Sequence, residues 1–300
     1  MKLLAVDEAR ARMLAAVSPL GVERVVLDDA LGRVLAADVL AGRDQPPFFA
    51  SAMDGWAVRA AAGAGPRRII GESAAGRGFA GELAPGDAVR IFTGAALPAG
   101  ADAVVIQEDA RHEGDRVWVP EALAGRHARP PGQDFRAGER LLAAGERLDP
   151  WRLALAAAAG AGTLLVRRRP RVAVLTTGYE LADPGATPGP FQIFDSGSTA
   201  LTALARSWGA EASALSRAGD DIAAIAGAVG GARCDLLVVV GGASVGDHDL
   251  VKPALAGLGL ALRVESVAVR PGKPTWFGTL ADGRRVLGLP GNPASALVCA

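Results

Sequence analysis

The residues best placed by type and spacing to do chemistry lie in four short loops, each following an apolar run. The run Leu236 to Val240 stops abruptly at GGASVGDHD (Gly241 to Asp249), which gathers glycines, a serine and two aspartates. Glycines let backbone N–H groups approach an anion and carboxylates can hold a divalent cation, so this loop suits a phosphorylated ligand together with its metal. TTGYE (Thr176 to Glu180), RPGKP (Arg270 to Pro274) and LPGNP (Leu289 to Pro293) end other apolar runs of the same region. Open α/β sheets bind ligands at such strand ends, so four loops on one edge imply a site. Lysine adds a detail: Lys2, Lys252 and Lys273 are the only three among 32 basic residues. A chain that otherwise uses arginine and keeps Lys273 inside PGKP points to a need for a compact ammonium there, although a turn lysine is the plain alternative.

The elements that must hold these loops follow from periodicity. From Arg171 onward, strand and helix alternate: strand Val172 to Leu175, helix Thr199 to Trp208, strand Ala212 to Leu215, helix Ile222 to Val229, strand Leu236 to Val240. This predicts a doubly wound α/β domain over residues 169–300. A helix near Leu250 to Ala256 follows, then strand runs at Leu262 to Val269, Thr275 to Leu280 and Val286 to Leu289, and a helix opened by Asn292 and Pro293. The sequence stops at Ala300 inside that helix with no glycine, cation or proline to end it, so the natural chain is expected to continue. Upstream, Asp7 to Val17 reads as an amphipathic helix with acids in its first turn. Between Gly63 and Gly138, glycines and prolines recur among short strand-like runs, which predicts a small β-rich domain over 53–136. Asp149 and Pro150 open a helix that Gly160 closes. That helix is expected to return to the opening segment, making residues 1–52 and 137–168 an extended connecting domain with the β domain inserted in it.

Length and composition bound the function. A chain of 300 residues, half of them hydrophobic and with 32 acidic and 32 basic residues, reads as globular with two or three domains. The uncharged run Leu153 to Val166 falls short of the roughly 18 residues that suggest a membrane span. Asp7 and Glu8 interrupt the apolar start, so no signal peptide is expected and the cytoplasm is the expected location. Cys234 and Cys299 form no CxxC pair and the three histidines lie far apart, which excludes a disulfide framework and a zinc motif. Neither nucleic acid nor membrane is an expected partner.

Three motifs compete. GASVG (Gly242 to Gly246) matches the nucleophile elbow of α/β hydrolases, but the only downstream histidine is His248, four residues after Ser244, so no triad can be assembled. GRGFAG (Gly76 to Gly81) matches the dinucleotide fingerprint, yet it sits in the β-rich region with Pro85 close behind, and it reads as a turn. In PPFFASAMDGW (Pro46 to Trp56), Asp54-Gly55 taken alone is an ordinary turn.

Taken together, SAMDGWAVR, RIFTGAALPAGADAVV, TTGYEL, GGASVGDHD, RPGKPTWFG and GLPGNPAS closely resemble the molybdopterin molybdenumtransferase family, called MoeA in bacteria and represented in animals by the E domain of gephyrin. The resemblance runs from the first helix to Ala300. It implies an elongated homodimer that inserts molybdenum from molybdate into adenylylated molybdopterin and releases AMP with a divalent cation, Mg2+, taking part. Carried over position by position, it assigns catalytic roles to Asp54, Asp249 and Lys273. It assigns substrate contacts to Thr93, Asp134, Gly242, Ser244, Arg270, Pro290 and Asn292, and a metal to Glu180, Asp220 and Asp249. Asp54 and Thr93 match positions that face the partner subunit's α/β domain, and Asp134 matches an acidic position beside them. Five positions depart from the family pattern: Tyr179 replaces an aspartate, Gln133 a glutamate, His127 and Gly197 asparagines, and Arg270 a lysine. The family carries a further small β domain at its end that contributes to the cleft, which fits the expectation that the natural chain continues past Ala300. Two other readings stay open: the molybdopterin adenylyltransferase of the same pathway, and a non-catalytic binding or scaffold protein of the same fold. A molybdopterin adenylyltransferase and proteins that mature molybdoenzymes are possible partners.

Overall fold

The computed structural model describes residues 3–241 and 250–300. The chain divides into two compact units, one made of Met1–Glu23 with Arg167–Ala300 and the other of Arg24–Val166.

The second unit is built on a six-stranded sheet. Its strands are β1 (Gly55–Val58), β2 (Gly65–Ser73), β3 (Asp87–Ile91), β4 (Ala103–Ile106), β5 (Arg111–Glu113) and β6 (Arg116–Val119), in the order β4-β1-β3-β2-β6-β5. Only β2 and β3 run parallel. Trp56, Val58, Ala88 and Val105 contribute to one buried cluster, whereas Ala57, Val89, Ile91 and Val104 belong to another. This is the period of two expected of a sheet buried on both faces. The flanking segments form a separate cluster of Ala30, Leu35, Val39, Leu142, Leu148 and Val166. GRGFAG is the turn expected: Ala74 and Arg77 exchange backbone hydrogen bonds around Gly76. The helix Pro150–Ala158 starts as its sequence indicates, with Asp149 accepting from the Arg152 N–H at 2.8 Å.

The first unit is the doubly wound α/β domain, joined by helix α1 (Val6–Ala15). Numbering the helices in chain order, Pro150–Ala158 is α2, and α3 (Ser196–Ser207), α4 (Ile222–Gly231), α5 (Val251–Ala256) and α6 (Pro293–Cys299) follow. The strands are β7 (Arg171–Thr176), β8 (Glu211–Ala214), β9 (Leu236–Val240), β10 (Ala261–Val264), β11 (Trp276–Thr279) and β12 (Arg285–Leu289). Their order is β8-β7-β9-β12-β11-β10, with the first four parallel and the last two antiparallel to their neighbours. Val172, Val174, Val238 and Val240 pack with Leu201 of α3 and Ala296 of α6, while Ala173, Leu175, Leu237 and Val239 pack with Ile225 of α4 and Leu255 of α5. Burial on both faces explains why these strands read as continuous apolar runs. One strand, expected over Leu262 to Val269, is shorter than expected: after Val264 the chain leaves the sheet, and the Val267 N–H donates to the Lys273 carbonyl. Val267 also bridges Leu4 ahead of α1. No helix of the described residues is long and apolar enough to cross a membrane.

Candidate functional site at the strand ends of the α/β unit

Because β7, β8, β9 and β12 are parallel, the loops after them leave the sheet at one edge. Backbone bonds tie these loops together: the Thr177 N–H donates to the Val240 carbonyl at 3.2 Å, and the Gly241 N–H to the Leu289 carbonyl at 3.4 Å. Thr177 also bridges Ala218, two residues before Asp220. Gly241 adopts φ +94°, and a Cβ there would stand 2.9 Å from Thr177 Oγ1, so glycine is required where the long loop begins. β11 runs antiparallel to β12 with Trp276 opposite Gly288, so the RPGKP loop leading into β11 emerges at this same edge. The structure therefore brings Glu180, Asp220, Arg270, Lys273, Pro290 and Asn292 to one edge. Gly242, Ser244 and Asp249 lie outside the described residues.

Individual side chains show what each can do. Arg270 and Lys273 are exposed. Their loop packs through Gly272 against Cys299 of α6, whose thiol donates to the Pro271 carbonyl at 3.6 Å. Glu180 and Asp220 are exposed, and Asp220 Oδ2 accepts from the Tyr179 N–H at 3.3 Å. Pro290 is buried, and Asn292 Oδ1 caps α6 by accepting from the Ser295 N–H at 3.0 Å, so these two hold the loop's shape. Hard carboxylate oxygens at neighbouring strand ends fit a divalent cation. Glu180 and Asp220 supply two such groups, and among the described residues no cluster of three or more His, Cys, Asp or Glu could hold an ion without further ligands.

The second unit joins Asp54 to Thr93. Asp54 Oδ1 accepts from the Thr93 N–H at 2.7 Å and from its hydroxyl at 2.8 Å. Those two bonds, helped by the charge of Arg90, hold the Asp54 carboxyl below the usual carboxylate range. Nearby backbone bonds fix this arrangement: Gly94 N–H to the Ser51 carbonyl, and Ala52 N–H to the His127 carbonyl. Asp134 is held by Arg129, whose Nη2 donates to Oδ1 at 2.5 Å, while Arg129 Nε donates to Gln133 at 3.1 Å. Arg129 itself pairs with Ala50 in a short antiparallel ribbon, which places Asp134 beside the segment carrying Asp54.

Two residues that contribute here escaped the sequence reading. Arg90 lies 5.2 Å from the Trp56 ring centre and 4.9 Å from that of Phe92, and donates to the Gly55 carbonyl at 3.2 Å and to Gln107 at 2.7 Å. It stands behind Asp54 in a groove of about 750 Å³ that Glu72, Gln107 and His112 also line. Its signal is its place three residues before Thr93 in RIFTG. Asp195 is buried, accepts from the Thr176 hydroxyl at 2.7 Å and caps α3 through the Ser198 N–H at 3.0 Å. Its signal was an acid before a serine at the start of a helix. The His127 departure also has a physical reading, since its φ of +55° is a conformation in which asparagine and histidine are both enriched.

An α/β unit with acidic and basic side chains at its strand ends, preceded by a β-rich unit with a fixed acid, has the layout of a class whose ligands bind at the carboxyl ends of parallel strands. Residues 4–160 match the MoeA N-terminal region (domain I and II), and residues 173–300 match the probable molybdopterin binding domain. The chain belongs to the molybdopterin molybdenumtransferase family. It is 39% identical over 288 residues to a molybdopterin molybdenumtransferase of a Nostoc species, covering 92% of this chain and 66% of that protein. It is also 39% identical over 303 residues to molybdopterin molybdenumtransferase 2 of Mycobacterium tuberculosis, covering 96% of this chain and 74% of that one. The chain thus spans about two thirds of the first relative's length. The crystal structure of a molybdopterin biosynthesis MoeA protein from Pyrococcus horikoshii superposes with a TM-score of 0.82 at 34% identity, covering 99% of this chain and 76% of that one.

Proposed function

We propose that this protein is a molybdopterin molybdenumtransferase of molybdenum cofactor biosynthesis, transferring molybdenum from molybdate to adenylylated molybdopterin with release of AMP. The observation that carries the reading is the gathering of Glu180, Asp220, Arg270 and Lys273 on one edge of a sheet that matches a molybdopterin-binding domain. The substrates bring a pyrophosphate and an oxyanion, and such groups need cations and N–H donors. The Lys273 ammonium and the Arg270 guanidinium hold phosphate or molybdate oxygens. A divalent cation, Mg2+ in our reading, would be held by Glu180 and Asp220 with Asp249, and would neutralise the pyrophosphate as its anhydride breaks. Asp54, kept ionised by Thr93, acts from the second unit. We infer a homodimer in which Asp54 and Asp249 of one site come from different subunits, working in the cytoplasm. The match of residues 4–160 favours this transferase over the adenylylating enzyme, which typically lacks the SAMDG segment and the inserted β domain.

The metal part of the reading is tested by assaying AMP release from adenylylated molybdopterin with molybdate present. Chelation should suppress release and added magnesium should restore it. Full release in a rigorously metal-free assay would assign the carboxylates another task.

A further inference from the structure

The chain has a single tyrosine, Tyr179, and it stands 68% exposed on the loop after β7, among the converging strand ends. Its setting is nonetheless ordered. The Tyr179 N–H donates to Asp220 Oδ2 at 3.3 Å, and its carbonyl accepts from Gln192 Nε2 at 3.1 Å, so both backbone polar groups are engaged. The ring rests against Gly219: a Cβ added there would come within 2.9 Å of Cε1 and 3.1 Å of Cζ and Oη. Any side chain at 219 would push the ring from its seat. One side of the ring is thus packed on bare backbone, while most of its surface remains open to solvent.

An aromatic ring fixed on one side and open elsewhere is suited to stacking, because a flat heterocycle can cover the free face while the phenol oxygen stays solvated. The neighbours decide what that heterocycle carries. Asp220 and Glu180, the carboxylates to which the transferase reading gives a cation and its phosphate, both flank Tyr179, one through its hydrogen bond and one in sequence. Where the family resemblance places an aspartate, this chain therefore exchanges a charge for a π-face.

We propose that Tyr179 is a stacking platform for the flat heteroaromatic ring of a phosphorylated ligand bound at this edge. The identity of that ring, adenine or pterin, rests on the transferase reading; the platform itself rests on geometry.

The test is calorimetric titration of the protein, with magnesium present, by AMP, by pterin and by the ringless control ribose 5-phosphate. Tyr179→Phe keeps the ring and should bind within about twofold of the wild type, whereas Tyr179→Ala should lose about tenfold in affinity for one ring compound. Ribose 5-phosphate should bind all three proteins alike, and their unfolding temperatures should agree. Loss confined to AMP identifies adenine as the stacked ring, and loss confined to pterin identifies the pterin. Equal affinity of wild type and Tyr179→Ala for both ring compounds, a wild type that binds neither, or an equal loss for ribose 5-phosphate would overturn the platform. Molybdate-dependent AMP release, assayed alongside, separates the two ideas. Release without stacking removes the platform alone; stacking without release removes the transferase reading alone.

Discussion

A compact ammonium and a guanidinium stand three residues apart in RPGK, both exposed, on a loop braced by Gly272 against Cys299. If Lys273 places its charge on an oxyanion as the anhydride breaks, its contribution belongs to the transition state rather than to ground-state binding. Lys273→Ala should then lower turnover by about a hundredfold with substrate affinity little changed. Lys273→Arg should recover only part of the rate, because a planar guanidinium is larger and donates differently. Thermal unfolding should be unaltered in both, since an exposed loop residue contributes little to the core. Steady-state kinetics on the two variants decide the matter: turnover near the wild-type value in Lys273→Ala would make it an ordinary loop lysine. At this scale, residue type carried much of the information. Rarity marked Lys273, whereas Arg90 is one of many arginines and only its stacking on Trp56 and Phe92 sets it apart.

At the scale of elements, strand ends and helix starts form one construction, and Asp195 links them by bonding both the end of β7 and the start of α3. Asp195→Ala removes a helix cap and leaves the buried Thr176 hydroxyl without this acceptor, which should cost about 2 kcal/mol in urea unfolding at neutral pH. The pH dependence has a definite sign. Burial pushes the Asp195 carboxyl up, but hydrogen bonds from Ser198 and Thr176 and the charge of Arg217 outweigh it and hold the carboxyl below its ordinary value. A depressed carboxyl stabilises the fold above its unfolded-chain pKa of about 3.9, and that contribution fades as pH falls through the folded-state value. The stability gap between wild type and variant should therefore shrink in acid; a gap constant from neutral pH to strong acid would exclude the carboxylate as its source. The alternation of strands and helices after Arg171 was readable because buried parallel strands are long apolar runs. The start of α3 was less so: Ser196, Gly197 and Ser198 are weak helix formers, and the capping bond rather than propensity begins the helix there. The end of β10 was also hidden, since valines recur as far as Val269 while tertiary contacts with Leu4 and Lys273 draw that segment out of the sheet.

For the molecule as a whole, the residues that the proposed chemistry uses fall in two units, Asp54 with Thr93 in one and the strand-end residues in the other. The motifs that carry each part were visible in sequence, but their assembly was not, because residues far apart in the chain meet only through folding, as Asp134 and the Asp54 segment do through Arg129. A homodimer with shared sites makes a specific forecast. Mixing Asp54→Ala with Asp249→Ala subunits, each inactive alone, should restore part of the activity. Mixed dimers confirmed by mass spectrometry but wholly inactive would mean that each site is built within one chain. The central claim is that anhydride cleavage is coupled to metal insertion, and it is tested most directly by incubating the protein with adenylylated molybdopterin, magnesium and molybdate and measuring AMP released against molybdenum retained on the pterin. The account predicts equal amounts of the two, and no AMP when molybdate is withheld. AMP release that proceeds at the same rate without molybdate would contradict it.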